Sequence, residues 1–159
     1  MIKEFEFYHG VVFSKLIHSI PDGISIKLYP SSSNASYVIN DNIGIYIKHS
    51  TKRMSPWRFS FQKIHQDEIL QMQEQLRNIF VLLVCGEDGV VNLSFEELKT
   101  ILNDIHSETE WISASRTKNK EYSIKGSDGT LEKKIGKNDF LKKILEAIKQ
   151  NEEFSNDSY

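Results

Sequence analysis

Lys48, Lys52, Arg53 and Arg58 fall within the segment Gly44–Phe61, and no carboxylate interrupts them. An ammonium is a compact point charge and a guanidinium a planar fork, and both are chemically suited to phosphate oxygens. The segment reads as an apolar strand ending at Lys48, a basic loop, and a second strand starting near Trp57. A lysine at the mouth of a central strand, followed by three further cations, marks a place where an anion would bind. Trp57, between Arg53 and Arg58, has two readings. It stacks on a base beside the phosphate contacts, or it alternates inward with Phe59 and Phe61 and fills the core. Arg116 follows a strand ending at Ser115 and is placed to join the same basic face.

Acid–base and metal chemistry have few candidates. Asp41 is the nearest acid, five residues before Tyr46, but Asn40-Asp41-Asn42 is also ordinary turn chemistry. His9 stands beside Gly10 at the expected start of a helix, and is of the type to act as a general base with Lys48 or Asp41. His65 is expected to start or cap a helix. His18, His49 and His106 lack ligand spacing, and no Cys/His zinc pattern exists, so no metal ligand set is expected. The one cysteine, Cys85, ends the most apolar segment and reads as a small buried hydrophobe.

These residues need elements to hold them. At 159 residues, 39% hydrophobic and 26% charged, the chain is expected to form one globular domain over 1–150 with a flexible tail over 151–159. It holds no apolar run of about 18 residues, so no membrane contact is expected, and a reducing cytoplasmic location is the default. Net charge is −2, which argues against a general nucleic-acid coat. The charge is uneven, however. Residues 48–63 carry five bases and no acid, and residues 116–143 carry nine bases and four acids. These segments either form one positive face or populate separate solvated faces.

Periodicity predicts an edge strand over 2–8, then a helix carrying Val12, Phe13, Leu16, Ile17 and Ile20 that ends at Pro21-Asp-Gly23. Strands follow over Ile24–Tyr29, Tyr37–Ile39 and Ile43–Ile47, the last apolar on both faces and hence central. Trp57–Phe61 is expected to pair next to it. A helix over His65–Arg77, buried strand Ile79–Cys85, a turn at Gly86–Gly89 and strand Val90–Leu93 come next. Ser94 and Glu97 fit a capping box for a helix to about Asn103. Trp111–Ser115, Tyr122–Lys125 and Leu131–Ile135 complete the strands, with a hairpin turn at Ser127–Thr130. Asn138 or Asp139 caps a last helix.

The order helix, three strands, helix, strand across residues 11–85 resembles the core of the PD-(D/E)xK nuclease superfamily. In that family an acid begins the second core strand and an acid-x-Lys motif ends the third. Here Tyr46-Ile47-Lys48 occupies the motif, and Ser36 or Tyr37 falls near the first acid. The resemblance implies an α/β (α+β) fold with a single mixed sheet flanked by helices, a restriction-endonuclease-like core, and a C-terminal β-hairpin and helix. The chain is also similar to a set of uncharacterised bacterial proteins with Ile-Lys-x-Ser-Thr, Val-Cys-Gly and Trp-(Ile/Val)-Ser-x-Ser-Arg segments, here Ile47–Thr51, Val84–Gly86 and Trp111–Arg116. That similarity brings no activity with it.

The departure from the nuclease pattern shapes the functional expectation. Magnesium prefers charged oxygen ligands, and Tyr46 offers a phenol where the family has an acid. The expectation is therefore a non-catalytic module on a degenerate nuclease-like fold, without a cofactor, binding DNA or RNA phosphates through Lys48, Lys52, Arg53, Arg58 and Arg116. One alternative is a protein-interaction subunit of a bacterial defence or mobile-element system. Another is a divergent Mg2+-dependent nuclease using Asp41, with Glu4 or Glu6 as further ligands.

Overall fold

The computed structural model of the protein describes residues 1–105 and 109–157, the last three by backbone alone. The order is α1 (Glu4–Ser19), β1 (Ile26–Leu28), β2 (Ser36–Ile39), β3 (Ile43–Ser50), β4 (Trp57–Phe61), α2 (Lys63–Gln75), β5 (Asn78–Cys85), β6 (Gly89–Ser94), α3 (Phe95–Ile101), β7 (Glu110–Ser115), β8 (Ser123–Gly126), β9 (Gly129–Thr130) and α4 (Asp139–Asp157). The α+β class holds, but the expected single sheet is two. One runs β1-β2-β3-β5-β6 and the other β4-β7-β8-β9. The reason is steric. β3 is hydrogen-bonded to antiparallel β2 on one edge and to parallel β5 on the other, so β4 has no free edge to join there. It pairs antiparallel with β7 instead.

β3 is central, as its apolar run from Ile43 to Ile47 requires. Its two faces feed two cores. Ile43, Ile45 and Ile47 pack with Leu82, with Val12 and Leu16 of α1, and with Phe140 and Ile144 of α4. Tyr46 packs on the other side with Val81 and Leu83, α2 residues Ile69 and Met72, and the inner face of the second sheet. On that inner face Trp57, Phe59 and Phe61 alternate with exposed Arg58 and Ser60. Trp57 is thus a core residue, with Nε1 donating to the Lys52 carbonyl at 2.8 Å.

Three local expectations are corrected. Residues 4–8 belong to α1 rather than an edge strand. The Phe5 and His9 rings meet one helical turn apart, at 5.1 Å, while Phe7 is left exposed. The last strand is only Gly129–Thr130; Ile135 makes a single bridge to Tyr122. α4 runs to Asp157, through most of the expected tail. Asn151, buried in that helix, donates to the Asn42 and Asn78 side-chain oxygens at 3.0 and 3.2 Å. His106 and the end of the tail lie outside the described residues. The Ser94–Glu97 capping box forms as expected, at 2.9 and 3.2 Å. No described helix is long and apolar enough to cross a membrane.

Candidate nucleic-acid interface

Alternation along β3 puts Tyr46 and Lys48 on the face toward α2, and Ser36 is the cross-strand partner of Tyr46. α2 brings His65 and Glu68 to the same place. Ser36 Oγ donates to Glu68 Oε2 at 2.5 Å. Lys48 Nζ donates to the Ser60 carbonyl and to His65 Nδ1, the latter at 3.0 Å, and sits 4.9 Å from the Phe61 ring centre. Gln62 N also donates to His65 Nδ1, at 3.1 Å, so that nitrogen is an acceptor and the ring is neutral with its proton on Nε2. Burial and the nearby Lys48 charge lower the His65 pKa. Burial lowers Lys48 to about 8 and pushes the Tyr46 phenol up, with Glu68 adding to the latter.

This cluster holds one carboxylate, Glu68, where a nuclease metal site needs at least a pair. Its other oxygens are a protonated phenol, the Ser36 hydroxyl and the Ser60 carbonyl already taken by Lys48, whose ammonium opposes a cation. The donor set does not fit magnesium. Among the described residues no group of three or more His, Cys, Asp or Glu side chains could hold a metal ion. Glu68 escaped the sequence reading. Its signal was its place on the helical stripe, one residue before Ile69 and three after His65.

The other acid–base candidates lie elsewhere. Asp41 precedes the opposite end of β3 from Lys48, about 23 Å away at the rise of an extended strand. It has φ +67° in its turn and pairs with Lys27 at 3.2 Å, both side chains exposed. His9 is on the α1 side of the first sheet, buried, with Nδ1 2.7 Å from the Tyr37 hydroxyl. Burial, then the nearby His49, lowers it to about 4. Glu4 accepts from His49 Nε2 at 2.8 Å, on that same side, and Glu6 is exposed on α1. None of these meets Lys48.

The basic loop is held at several points. Gly86 N donates to the Ser50 carbonyl at 3.0 Å, Lys52 O receives the Trp57 indole, and Ser55 Oγ accepts from Arg116 N at 3.0 Å. Lys52 and Arg53 project into solvent from this frame, and Arg58 follows on the outer face of β4. The Arg58 guanidinium lies 4.6 Å from the centre of the Trp111 ring. None of these three cations makes an ion pair among the described residues.

Arg116 is engaged inward. Nε and Nη2 grip Asp88 at 2.8 and 2.7 Å, and Nη1 donates to the Lys120 carbonyl at 3.2 Å. The Asp88 carboxyl is held down near 2, chiefly by that guanidinium. The structure therefore brings Lys52, Arg53 and Arg58 together at the surface and turns Lys48 and Arg116 to internal partners. Cys85 is buried, and burial raises its thiol pKa. No family model, curated protein or solved structure matches the chain.

Proposed function

We propose that the protein is a non-catalytic module that binds nucleic acid by its phosphates. The observation that carries this reading is the exposed trio Lys52, Arg53 and Arg58, the first two on a loop pinned at three points and the third on β4 next to it, all free of carboxylate partners among the described residues. A pre-ordered loop loses little conformational freedom when it takes up a phosphate. Support also comes from the order of elements. α1, the three-strand meander β1–β3, α2 and β5 follow the order of the nuclease-like core that the sequence resembles, with β4 interposed. Lys48, the one residue of the acid-x-Lys motif present, serves the packing between β3, β4 and α2 in this reading. Chemistry at that strand end has given way to binding beside it.

The test is fluorescence anisotropy with labelled DNA and RNA oligonucleotides across a salt series. K52A/R53A/R58A is expected to weaken binding at low salt and to shallow the slope of log K against log salt by about two, since each neutralised phosphate contributes roughly 0.7–0.9. Affinity and slope unchanged in the triple variant, with the fold intact by circular dichroism, would overturn the reading.

A further inference from the structure

We propose that the solvent face of the second sheet is a stacking platform for single-stranded nucleic acid, with Trp111 as the residue that takes a base. This deepens the proposed function and rests on it. The inner face of this sheet is filled by Trp57, Phe59, Ile112 and Ala114, so the alternate residues must point outward. Arg58, Ser113, Lys125 and Thr130 stand in one cross-strand row, and Ser60 pairs with Trp111 in the next. The strand residues of this face thus offer two cations, hydroxyls and one indole, and no carboxylate.

Charge and shape point to the same occupant. Arg58, Ser60 and Lys125 are exposed, and Trp111 keeps part of its surface in solvent. The basic loop runs directly into this sheet: Ser55 Oγ ties it to the residue after β7, and Arg58 is the second residue of β4. A chain whose phosphates sit on Lys52 and Arg53 would carry its bases across Arg58 and Trp111. Four strands about 4.8 Å apart give a face on the order of 15 Å across. A duplex keeps its bases stacked inside, whereas a single strand presents them to aromatic and guanidinium surfaces. A serine-rich sheet face gives hydroxyl donors for phosphate without selecting a sequence. The Arg58–Trp111 contact is also the kind of cross-strand pair that stabilises a sheet, so the decisive measurement must be made on a ligand.

The protein has two tryptophans, and Trp57 is buried, so solvent-side changes in emission report Trp111. The intact chain is titrated with oligo-dT and oligo-U of about twelve nucleotides and with a duplex of equal length. Single strands are expected to quench emission saturably and to bind more tightly than the duplex. W111A is expected to lose about tenfold or more in affinity, the range for one stacked base, with the salt slope unchanged. W111F, which keeps a ring, is expected to retain most of it. Single-strand binding without quenching, or equal affinity in W111A, or a preference for duplex, would overturn the platform. In those cases a continued effect of K52A/R53A/R58A would leave the phosphate-binding reading standing. Absence of binding to all three probes would overturn both.

Discussion

Among single residues, burial displaces the pKa values of His9 and Glu110 in senses that oppose each other. His9 is lowered to about 4, so the folded protein holds it neutral where the unfolded chain would protonate it. Its contribution is present above pH 6.5 and is lost as pH falls toward 4. Glu110 is raised to about 7 by burial and by its hydrogen bond and charge interaction with Asp128. The folded state holds that proton more tightly, so this contribution is present below about pH 4.5 and is lost as pH rises through 7. Between roughly pH 4.5 and 6.5 the two slopes have opposite sign. E110Q removes one of them. It is expected to raise Tm above wild type at pH 8, where the native protein must bury a carboxylate, and to melt progressively lower on acidification from 6.5 to 4.5. In a chain of this size about 1 kcal/mol moves Tm by roughly 2–4 °C. Thermal melts at pH 4.5, 6 and 8 decide it; a wild-type and an E110Q profile that run parallel would show that Glu110 does not titrate in this window.

At the level of elements, the loop before β4 depends on a residue distant in sequence. Gly86 has φ +54°, and a Cβ there would stand 2.3 Å from the Lys52 carbonyl oxygen and 3.2 Å from Trp57 Nε1. G86A must therefore both strain the turn and push the carbonyl that receives the Trp57 indole. A loss of about 1–3 kcal/mol is expected, together with weaker oligonucleotide binding as Lys52 and Arg53 move. Gly10 is the contrast. It lies in α1 with nothing within 4 Å of its Cβ position, so G10A is expected to add about 0.5–1 kcal/mol. Urea titrations of both variants check the pair of signs. Most elements were legible because their signals are local. The alternation of Trp57–Phe61, the apolar run of Ile79–Cys85 and the Ser94–Glu97 cap each lie within a few residues. The pairing of β4 with β7 was not, because it is decided by β2 and β5 having already occupied both edges of β3. α1 was misread at its start because Phe5 and Phe7 mimic a strand period, and only His9 and Val12 beyond them reveal the helical face. The site divided in the same way. Arg58 was readable from its neighbours Trp57 and Phe59. The Asp88 partner of Arg116, and Glu68 beside Lys48, depend on contacts spanning tens of residues.

For the whole molecule, the five-stranded sheet is a wall between two cores. Leu16 packs on the side of α1 and α4, while the second sheet packs against the other core and turns its outer face away from it. Stability and binding can therefore be separated by position. Leu16 is fully buried, and L16A is expected to cost about 2–5 kcal/mol by the lost contacts and the cavity left behind. Because β3 and β5 contribute side chains to both cores, that loss should reach the whole chain. It should appear as one cooperative transition at lower temperature, not as early melting of α1 and α4 alone. Below that transition the far face keeps its geometry, and oligonucleotide affinity in L16A should stay within about twofold of wild type. Calorimetry and anisotropy on the same samples measure both. Two resolved transitions would mean that the layers fold independently. A parallel fall in affinity well below the melting temperature would mean that the binding face is not insulated from the α1–α4 core by the sheet between them.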